Sequence, residues 1–194
     1  MTYDTNNKRN ARTLKVLQQA MLTLMSDQSY ETIKAVDICR VAMVHRTTFY
    51  LHFEDKEHLL NECVHQVKSQ LEAEIVMSEL TQTPSGYYAE LLRLLVKYLD
   101  AHPNLQAGLV LLPENQIFWL KFQALIAHDV KQRMQHFAQN GYNYHVHLDI
   151  NSQFFTNGII GTLLWWLRHS RPIEASLFYE QITSLMDPRN VLSR

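Results

Sequence analysis

Apolar residues recur along most of this chain at the three- and four-residue spacing of amphipathic helices. In the first such segment, over residues 9–26, Leu14, Leu17, Met21 and Leu24 share one face. The same spacing predicts further helices over residues 36–42, 46–53, 56–77, 88–102, 113–137, 150–169 and 174–186. Strand-like alternation is rare, and the sequence holds only 5 Gly and 5 Pro. We therefore predict an all-α fold.

The predicted helix over residues 46–53 has two contrasting faces. Phe49 and Phe53 are four residues apart, so both point to the interior. Five of the six remaining positions carry hydrogen-bonding side chains, namely Arg46, Thr47, Thr48, Tyr50 and His52. Donors in the first turn of a recognition helix reach base edges in the major groove, and groups one turn later suit phosphates. The pattern predicts a helix that enters a DNA groove.

Two basic residues near this helix each have an ordinary alternative role. Arg46 is suited to a bidentate bond with guanine, and its alternative is a surface salt bridge to Glu54 or Asp55. Lys56 stands near the start of the next helix, where an anion is favoured, so we expect it to grip a phosphate. Its alternative is a solvated lysine.

The charge distribution supports double-stranded DNA as a partner. Residues 8–53 hold seven Lys and Arg against three Asp and Glu, a net +4. The rest of the chain holds 11 Lys and Arg against 16 Asp and Glu, a net −5. The two parts together give the overall charge of −1. The positive part is therefore the part that contains the predicted recognition helix.

Other composition features indicate a cytoplasmic protein without a cofactor. Cys39 and Cys63 lie in apolar helical patterns, which favours a reduced setting. The most apolar run, residues 154–167, is short of the ~20 residues that span a membrane, so a buried helix is expected.

Histidines are numerous but do not form a recognised metal signature. His58, Glu62 and His65 share one face of a predicted helix, and His145 and His147 form a loop pair. Neither set completes a known ligand pattern, so we predict no metal, and a metal site is kept as the alternative.

Residues 9–62 resemble the DNA-binding domain of the tetracycline-repressor (TetR/AcrR-like) family of bacterial transcription regulators. The resemblance is carried by an ordered set of positions, namely Ile33, Asp37, Ile38, Ala42, Val44, Thr48, Phe49, Tyr50, His52, Phe53, Lys56, Leu59 and Leu60. It implies a helix-turn-helix domain over residues 1–55 and a helical effector-binding and dimerisation domain over residues 56–194. The run from Gly158 to Trp166 is similar to the penultimate helix of such regulators.

The chain departs from the family pattern at three places. Met43 stands in the turn where the family usually has Gly, and a left-handed conformation there costs on the order of 1 kcal/mol. Lys34 and Val36 replace a common Thr and Arg, and we expect Lys34 to reach a phosphate. His45 replaces a common Ser, which is expected to remove a good N-cap from the recognition helix and to add a DNA-facing group.

The C-terminal part contains aromatic and small residues that suggest two further sites. We predict an effector pocket lined by Tyr98, Phe118, Phe122 and Trp165, although aromatic residues at helical spacing are more often core. We also predict a two-fold dimer interface built from Gly158, Gly161, Trp166, Phe178 and Ile182. The alternative is that the helix over residues 150–169 is buried within one subunit.

Three functions are open from the sequence. The leading hypothesis is a homodimeric, ligand-responsive transcriptional regulator that binds a palindromic operator. We expect it to repress transcription. By resemblance, a small-molecule effector would tilt the helix over residues 56–77 and change the spacing of the two recognition helices. The second hypothesis replaces the effector with a protein co-regulator, which would make the chain an adapter or activator. The third, an enzyme, is disfavoured because no phosphate loop, nucleophile elbow or dinucleotide turn is present.

Overall fold

The computed structural model describes residues 3–75, 83–112, 115–141 and 143–186. All regular structure in these residues is helical. The elements in order are α1 (Tyr3–Asp27), a 3-10 helix (Tyr30–Thr32), α2 (Ala35–Ala42), α3 (Arg46–His52), α4 (Lys56–Ala73), α5 (Pro84–Ala101), α6 (Pro103–Leu111), α7 (Gln116–Gln139), α8 (Leu148–Arg168) and α9 (Ala175–Met186). The predicted all-α fold is confirmed.

Most helices lie where the apolar spacing predicted them, and one helix was missed. α6 occupies residues for which no helix was predicted, and it begins at Pro103, a residue that the first turn of a helix accepts. The predicted helix over residues 56–77 ends at Ala73. Residues 76 and 77, and the predicted helix start at Pro113, lie outside the described residues.

The chain divides into two compact units that are not the predicted domains. Unit 1 comprises Met1–Lys68 and His102–Lys121, and unit 2 comprises Ser69–Ala101 and Phe122–Arg194. α6 and the start of α7 therefore pack with the helix-turn-helix. The predicted boundary at residue 55 stays a functional prediction, whereas the packing boundary on α4 lies at residue 68.

Unit 1 is organised around α1, which packs against both α2 and α6. Leu17, Met21 and Met25 of α1 are fully buried. Gly108 of α6 lies so close to the end of α1 that an added Cβ would stand 2.1 Å from the Met25 carbonyl oxygen. Only a residue without a side chain fits this approach.

A buried amide joins three segments of unit 1. Asn115 is fully buried, and its Oδ1 accepts a hydrogen bond from the Tyr30 backbone N–H at 2.8 Å. Its Nδ2 donates to the backbone oxygens of Met25 at 2.9 Å and Gly108 at 3.1 Å. Asn115 thus ties α6, the end of α1 and the 3-10 helix together, which satisfies backbone groups that would otherwise be buried without partners.

Unit 2 is held by an apolar core to which α5, α7, α8 and α9 contribute. α5 packs against α9. Trp166 of α8 is fully buried, stacks on Phe178 of α9 with ring centroids 4.5 Å apart, and donates its indole N–H to the Ile173 oxygen at 2.7 Å. Large aromatic residues of this kind bury much apolar area and fix the α8–α9 corner.

Candidate nucleic-acid interface and effector cavity

α2 and α3 form a helix-turn-helix whose turn is closed by Met43. Met43 has φ 54° and ψ 41°, the left-handed conformation expected from the sequence, and its side chain is 93% exposed. The Val44 N–H donates to the Cys39 oxygen at 3.0 Å, and the Met43 N–H donates to the Arg40 oxygen at 3.3 Å. These bonds satisfy carbonyls at the end of α2, as a left-handed residue at a helix C-terminus commonly does.

Side chains satisfy backbone N–H groups at the starts of both α2 and α3. At α2, the Lys34 backbone N–H donates to Asp37 Oδ2 at 3.2 Å. At α3, His45 Nδ1 accepts the Thr47 N–H at 3.4 Å and lies 2.9 Å from Thr47 Oγ1. The expectation that His45 leaves α3 without an N-cap is therefore wrong, because its ring nitrogen takes the place of a serine oxygen.

α3 presents one face to the core and another to solvent, as predicted. Phe49 is fully buried and Phe53 nearly so, and their ring centroids are 5.8 Å apart. Lys34, His45, Arg46, Thr47 and Tyr50 are exposed, and Thr48 and His52 are partly exposed. The structure thus leaves the predicted DNA-contacting side chains of α3 exposed or partly exposed. Their contact with DNA stays a prediction.

Arg46 has a partner that the sequence did not indicate. Its Nη2 donates to the Tyr50 hydroxyl at 3.3 Å, and its guanidinium lies 5.5 Å from the centre of the Tyr50 ring. The hydrogen bond with Tyr50 raises the pKa of Arg46 above its usual range. Tyr50 therefore limits the conformations of Arg46 and leaves the other guanidinium donors for a ligand.

Lys56 occupies a structural position instead of either predicted one. Its ammonium donates to the backbone oxygens of Tyr30 at 2.9 Å, Ile33 at 3.0 Å and Glu31 at 3.1 Å. It also lies 4.4 Å from the centre of the Tyr30 ring. An ammonium has three N–H donors, and all three are used here. This arrangement argues against the predicted phosphate contact and against a freely solvated lysine.

Exposed apolar side chains on the helix-turn-helix were not singled out from the sequence as contacts. Leu51, on α3, is 81% exposed, and Val36, in the first turn of α2, is also exposed. An apolar residue on a recognition surface suits the thymine methyl group. The signal was present in the sequence, because Leu51 follows Tyr50 and lies off the Phe49–Phe53 face.

Unit 2 contains an apolar cavity of about 30 Å³ between α5, α7 and α8. Its lining consists of apolar residues and two hydroxyl-bearing ones, namely Tyr88, Leu91, Leu92, Leu95, Phe122, Ile126, Val130, Phe155, Thr156, Ile159 and Ile160. The Tyr88 hydroxyl donates to the Val130 oxygen at 3.3 Å, and burial raises the pKa of Tyr88 well above its usual range. Space of this size holds a water molecule or two, and a larger ligand must displace side chains.

Of the four predicted effector residues, the structure brings only Phe122 to this cavity. Phe118 belongs to unit 1, where it is buried edge-on against Trp119. Trp165 is exposed on α8 beside His169, and Tyr98 lies on α5 outside the cavity lining. The aromatic spacing alone did not separate core positions from cavity positions. An effector contact for Phe122 stays a prediction.

The predicted dimer residues fall into two groups. Gly158 and Gly161 are exposed, and a Cβ on either would meet no atom within 4 Å. Trp166, Phe178 and Ile182 are buried inside unit 2, which argues against a place for them in an interface. Their surface is already covered by the subunit's own core.

A different set of apolar side chains is exposed on the same two helices. On α8, Ile150, Phe154 and Trp165 lie on one face with the two glycines, because the positions are spaced by three or four residues. On α9, Leu177 and Leu185 are exposed. We call these five side chains with Gly158 and Gly161 the α8–α9 face.

In residues 3–75, 83–112, 115–141 and 143–186, no group of three His, Cys, Asp or Glu side chains is arranged to hold a metal ion. None of the helices in these ranges has the length and apolarity needed to cross a membrane.

No protein-family model matches the sequence. Among curated proteins, the HTH-type dhaKLM operon transcriptional activator DhaS of Lactococcus lactis subsp. lactis strain IL1403 is 34% identical over 119 residues. The match covers 60% of this chain and 51% of DhaS. The chain therefore spans about half the length of the curated relative that it matches.

Solved structures resemble nearly the whole chain. A TetR transcriptional regulator from Streptococcus agalactiae 2603V superposes with a TM-score of 0.65 at 24% identity, covering 94% of this chain and 98% of that one. NalD, the secondary repressor of the MexAB-OprM multidrug efflux pump in Pseudomonas aeruginosa, superposes with a TM-score of 0.62 at 19% identity, covering 92% and 95%. This chain has the all-helical fold of TetR-type transcriptional regulators, which confirms the fold that the resemblance implied.

Proposed function

We propose that this chain is a DNA-binding transcriptional regulator that recognises an operator through α3. The observation that carries the proposal is the exposed surface of Arg46, Thr47 and Tyr50 on a short helix anchored by Phe49 and Phe53. The net positive charge of residues 8–53 supports attraction to the phosphate backbone. The function places the protein in the cytoplasm, where the DNA of a bacterium lies, and requires no catalysis.

Within this surface, we assign different tasks to different side chains. Arg46, oriented by Tyr50, reads a base edge, and Thr47 and Leu51 contact neighbouring bases or methyl groups. Lys34, His45 and His52 lie on its margin and contact phosphates. Lys56 is left out of this set because its ammonium already holds three carbonyls.

The operator proposal is tested by binding of the purified chain to duplexes from the DNA that flanks its own gene. Fluorescence anisotropy at several salt concentrations gives both affinity and the number of phosphate contacts. We expect Arg46→Ala to weaken specific binding roughly tenfold or more. Lys97→Ala removes one positive charge from an exposed ion pair with Glu74 in unit 2 and serves as the control. An equal loss of operator affinity in both variants, or no specific binding by the wild type, would refute the proposal.

We further propose that the regulator acts as a homodimer through the α8–α9 face. Large apolar side chains are seldom grouped on the surface of a subunit that works alone. Phe154 is 72% exposed, and the two glycines beside it permit close approach of a second helix. A two-fold dimer presents two copies of α3, which fits a palindromic operator.

We propose repression relieved by a small-molecule effector in the unit 2 cavity as the mode of regulation. NalD, which shares the fold, is described as a repressor. α4 supplies residues to both units, so an effector that changes the position of α4 would change operator affinity. Such coupling between two sites amounts typically to ~1 to 3 kcal/mol.

A second candidate is an activator controlled by a protein partner. Two observations favour it: the matched relative DhaS is described as a transcriptional activator, and the cavity is far smaller than the ~300 to 1,000 Å³ of ordinary ligand sites. The two modes differ in a reporter assay with the operator upstream of a promoter. Loss of the gene raises transcription if the chain represses and lowers it if the chain activates.

A further inference from the structure

The Thr156 hydroxyl is the unusual group of the unit 2 cavity. Thr156 lies on α8, is 2% exposed, and its Oγ1 has neither solvent contact nor a hydrogen-bond partner. A buried hydroxyl without a partner costs free energy, so such groups are rare in folded proteins. Its position in the cavity lining indicates where a partner would come from.

Other helical hydroxyls of this chain show that a local partner is normally found. Thr162, also on α8, donates to the Gly158 oxygen at 2.7 Å, and Thr183 on α9 donates to the Tyr179 oxygen at 2.7 Å. Both use the carbonyl one turn earlier, as threonine in helices commonly does. Thr156 does not make this bond, so its hydroxyl keeps its hydrogen-bonding capacity unused.

The rest of the lining limits what that occupant is. The other hydroxyl, that of Tyr88, already donates to the Val130 oxygen. The remaining lining side chains are Leu, Ile, Val and Phe, and none carries a charge. A charged ligand would lose its hydration without gaining a counter-ion, which is prohibitive in an apolar cavity.

We propose that the cavity binds a small uncharged molecule, mostly hydrocarbon, whose single hydroxyl or carbonyl group forms a hydrogen bond with Thr156 Oγ1. This proposal rests on the proposed function, because it takes the cavity as the effector site. Phe155 and Ile159 are the half-buried members of the lining, and their displacement opens space for molecules larger than the present volume.

The test uses matched five-carbon probes and the full chain. Methyl NMR of the Ile, Leu and Val residues follows titration with 1-pentanol, 2-pentanone, pentane, pentanoate and pentylamine. We expect the alcohol and the ketone to shift cavity methyl groups such as those of Ile126 and Ile160. Pentanoate and pentylamine should leave the same signals unchanged, because their charge finds no partner.

Two variants separate a hydrogen bond from a general apolar effect. Thr156→Val keeps the side-chain shape, removes the hydroxyl, and should weaken 1-pentanol binding roughly three- to tenfold while leaving pentane binding unchanged or stronger. Thr162→Val makes the same change on the same helix at a hydroxyl that is already bonded, and should leave both affinities unchanged.

Three results would overturn the proposal: no probe shifts the cavity methyl groups, pentanoate or pentylamine binds as well as the alcohol, or the alcohol keeps its affinity in Thr156→Val. Operator binding is measured separately on the same samples. Normal operator binding with no ligand binding refutes this inference alone. Ligand binding by a chain that ignores DNA refutes the regulator function and leaves the ligand class intact.

Discussion

At the scale of single residues, α3 is held in place by side chains that precede and follow it in the chain. Lys56 ties together the carbonyls of Tyr30, Glu31 and Ile33, and His45 caps α3 through its ring nitrogen. Burial, followed by the nearby Glu57, Asp55 and Glu31 carboxylates, raises the pKa of Tyr30 to about 12. Tyr30 therefore stays neutral beneath the Lys56 ammonium across the physiological pH range.

Replacement of Met43 by glycine should stabilise the protein. Met43 adopts a left-handed conformation with its side chain in solvent, so it gains no packing in return for the backbone cost. Met43→Gly should raise the free energy of unfolding in urea by about 1 kcal/mol. Met43→Ala, which also removes the exposed side chain but keeps a Cβ, should give no such gain. Equal stability of the two variants would disprove this explanation.

Loss of the Lys56 ammonium should destabilise the fold without altering phosphate contacts. Lys56→Met keeps much of the stem and removes three charge-assisted hydrogen bonds, for an expected loss of roughly 2 kcal/mol in urea unfolding. The slope of log affinity for DNA against log salt should stay that of the wild type.

The matched control is Lys34→Met, which removes an exposed positive charge just before the first turn of α2. It should reduce the salt slope by about one and leave stability unchanged. A reduced slope together with normal stability in Lys56→Met would instead restore the phosphate contact that the sequence suggested.

The sequence predicted the two faces of α3 but not the roles of every charged residue near it. Phe49 and Phe53 are four apart, and that spacing suffices to orient a short helix. The three carbonyl partners of Lys56 lie 23 to 26 residues earlier in the chain. No local pattern reports such a contact.

At the scale of elements, α6 is the helix that the apolar spacing did not reveal. Leu105, Leu109 and Val110 are buried in it, but its polar side chains are only Asn104 and Gln106, which are too few to give the usual period. The close approach of Gly108 to α1 and the bonds of Asn115 fix α6 within unit 1. The helix-turn-helix unit therefore includes a segment distant in sequence.

Asn115 should prove important for the stability of unit 1. Asn115→Ala leaves the Tyr30 N–H and the Met25 and Gly108 carbonyls without their partner, and should lower the free energy of unfolding by about 3 kcal/mol. Asn104→Ala changes an exposed asparagine on α6 and should have little effect. Similar stability of the two variants, measured by thermal and urea unfolding, would show that the buried bonds contribute little.

At the scale of the whole molecule, pairing of two chains through the α8–α9 face has a direct test. Phe154→Lys places a charge on an exposed position, so the single subunit should fold normally while the dimer dissociates. Leu120→Lys makes the same kind of change at an exposed apolar residue of α7 and should leave the dimer intact. Sedimentation equilibrium distinguishes the two, and a wild type that sediments as a monomer at micromolar concentration would refute the dimer.

Helix periodicity predicted the fold because most helices bury one face, but it did not separate the core residues of α8 from its exposed apolar residues. Trp165 and Trp166 are adjacent in sequence, and only the packing of α9 decides that Trp166 is core and Trp165 is exposed. The same holds for the cavity, where three helices must be assembled before Phe122 and Thr156 are seen to share it.

In the proposed dimer, two copies of α3 read one symmetric DNA site. The most direct measurement is selection of bound duplexes from a random pool by the purified full chain. We predict enrichment of an inverted repeat whose half-sites lie about one helical turn, ~10 base pairs, or a multiple of it apart. Enrichment of no sequence, or of a single site without its inverted copy, would contradict the account.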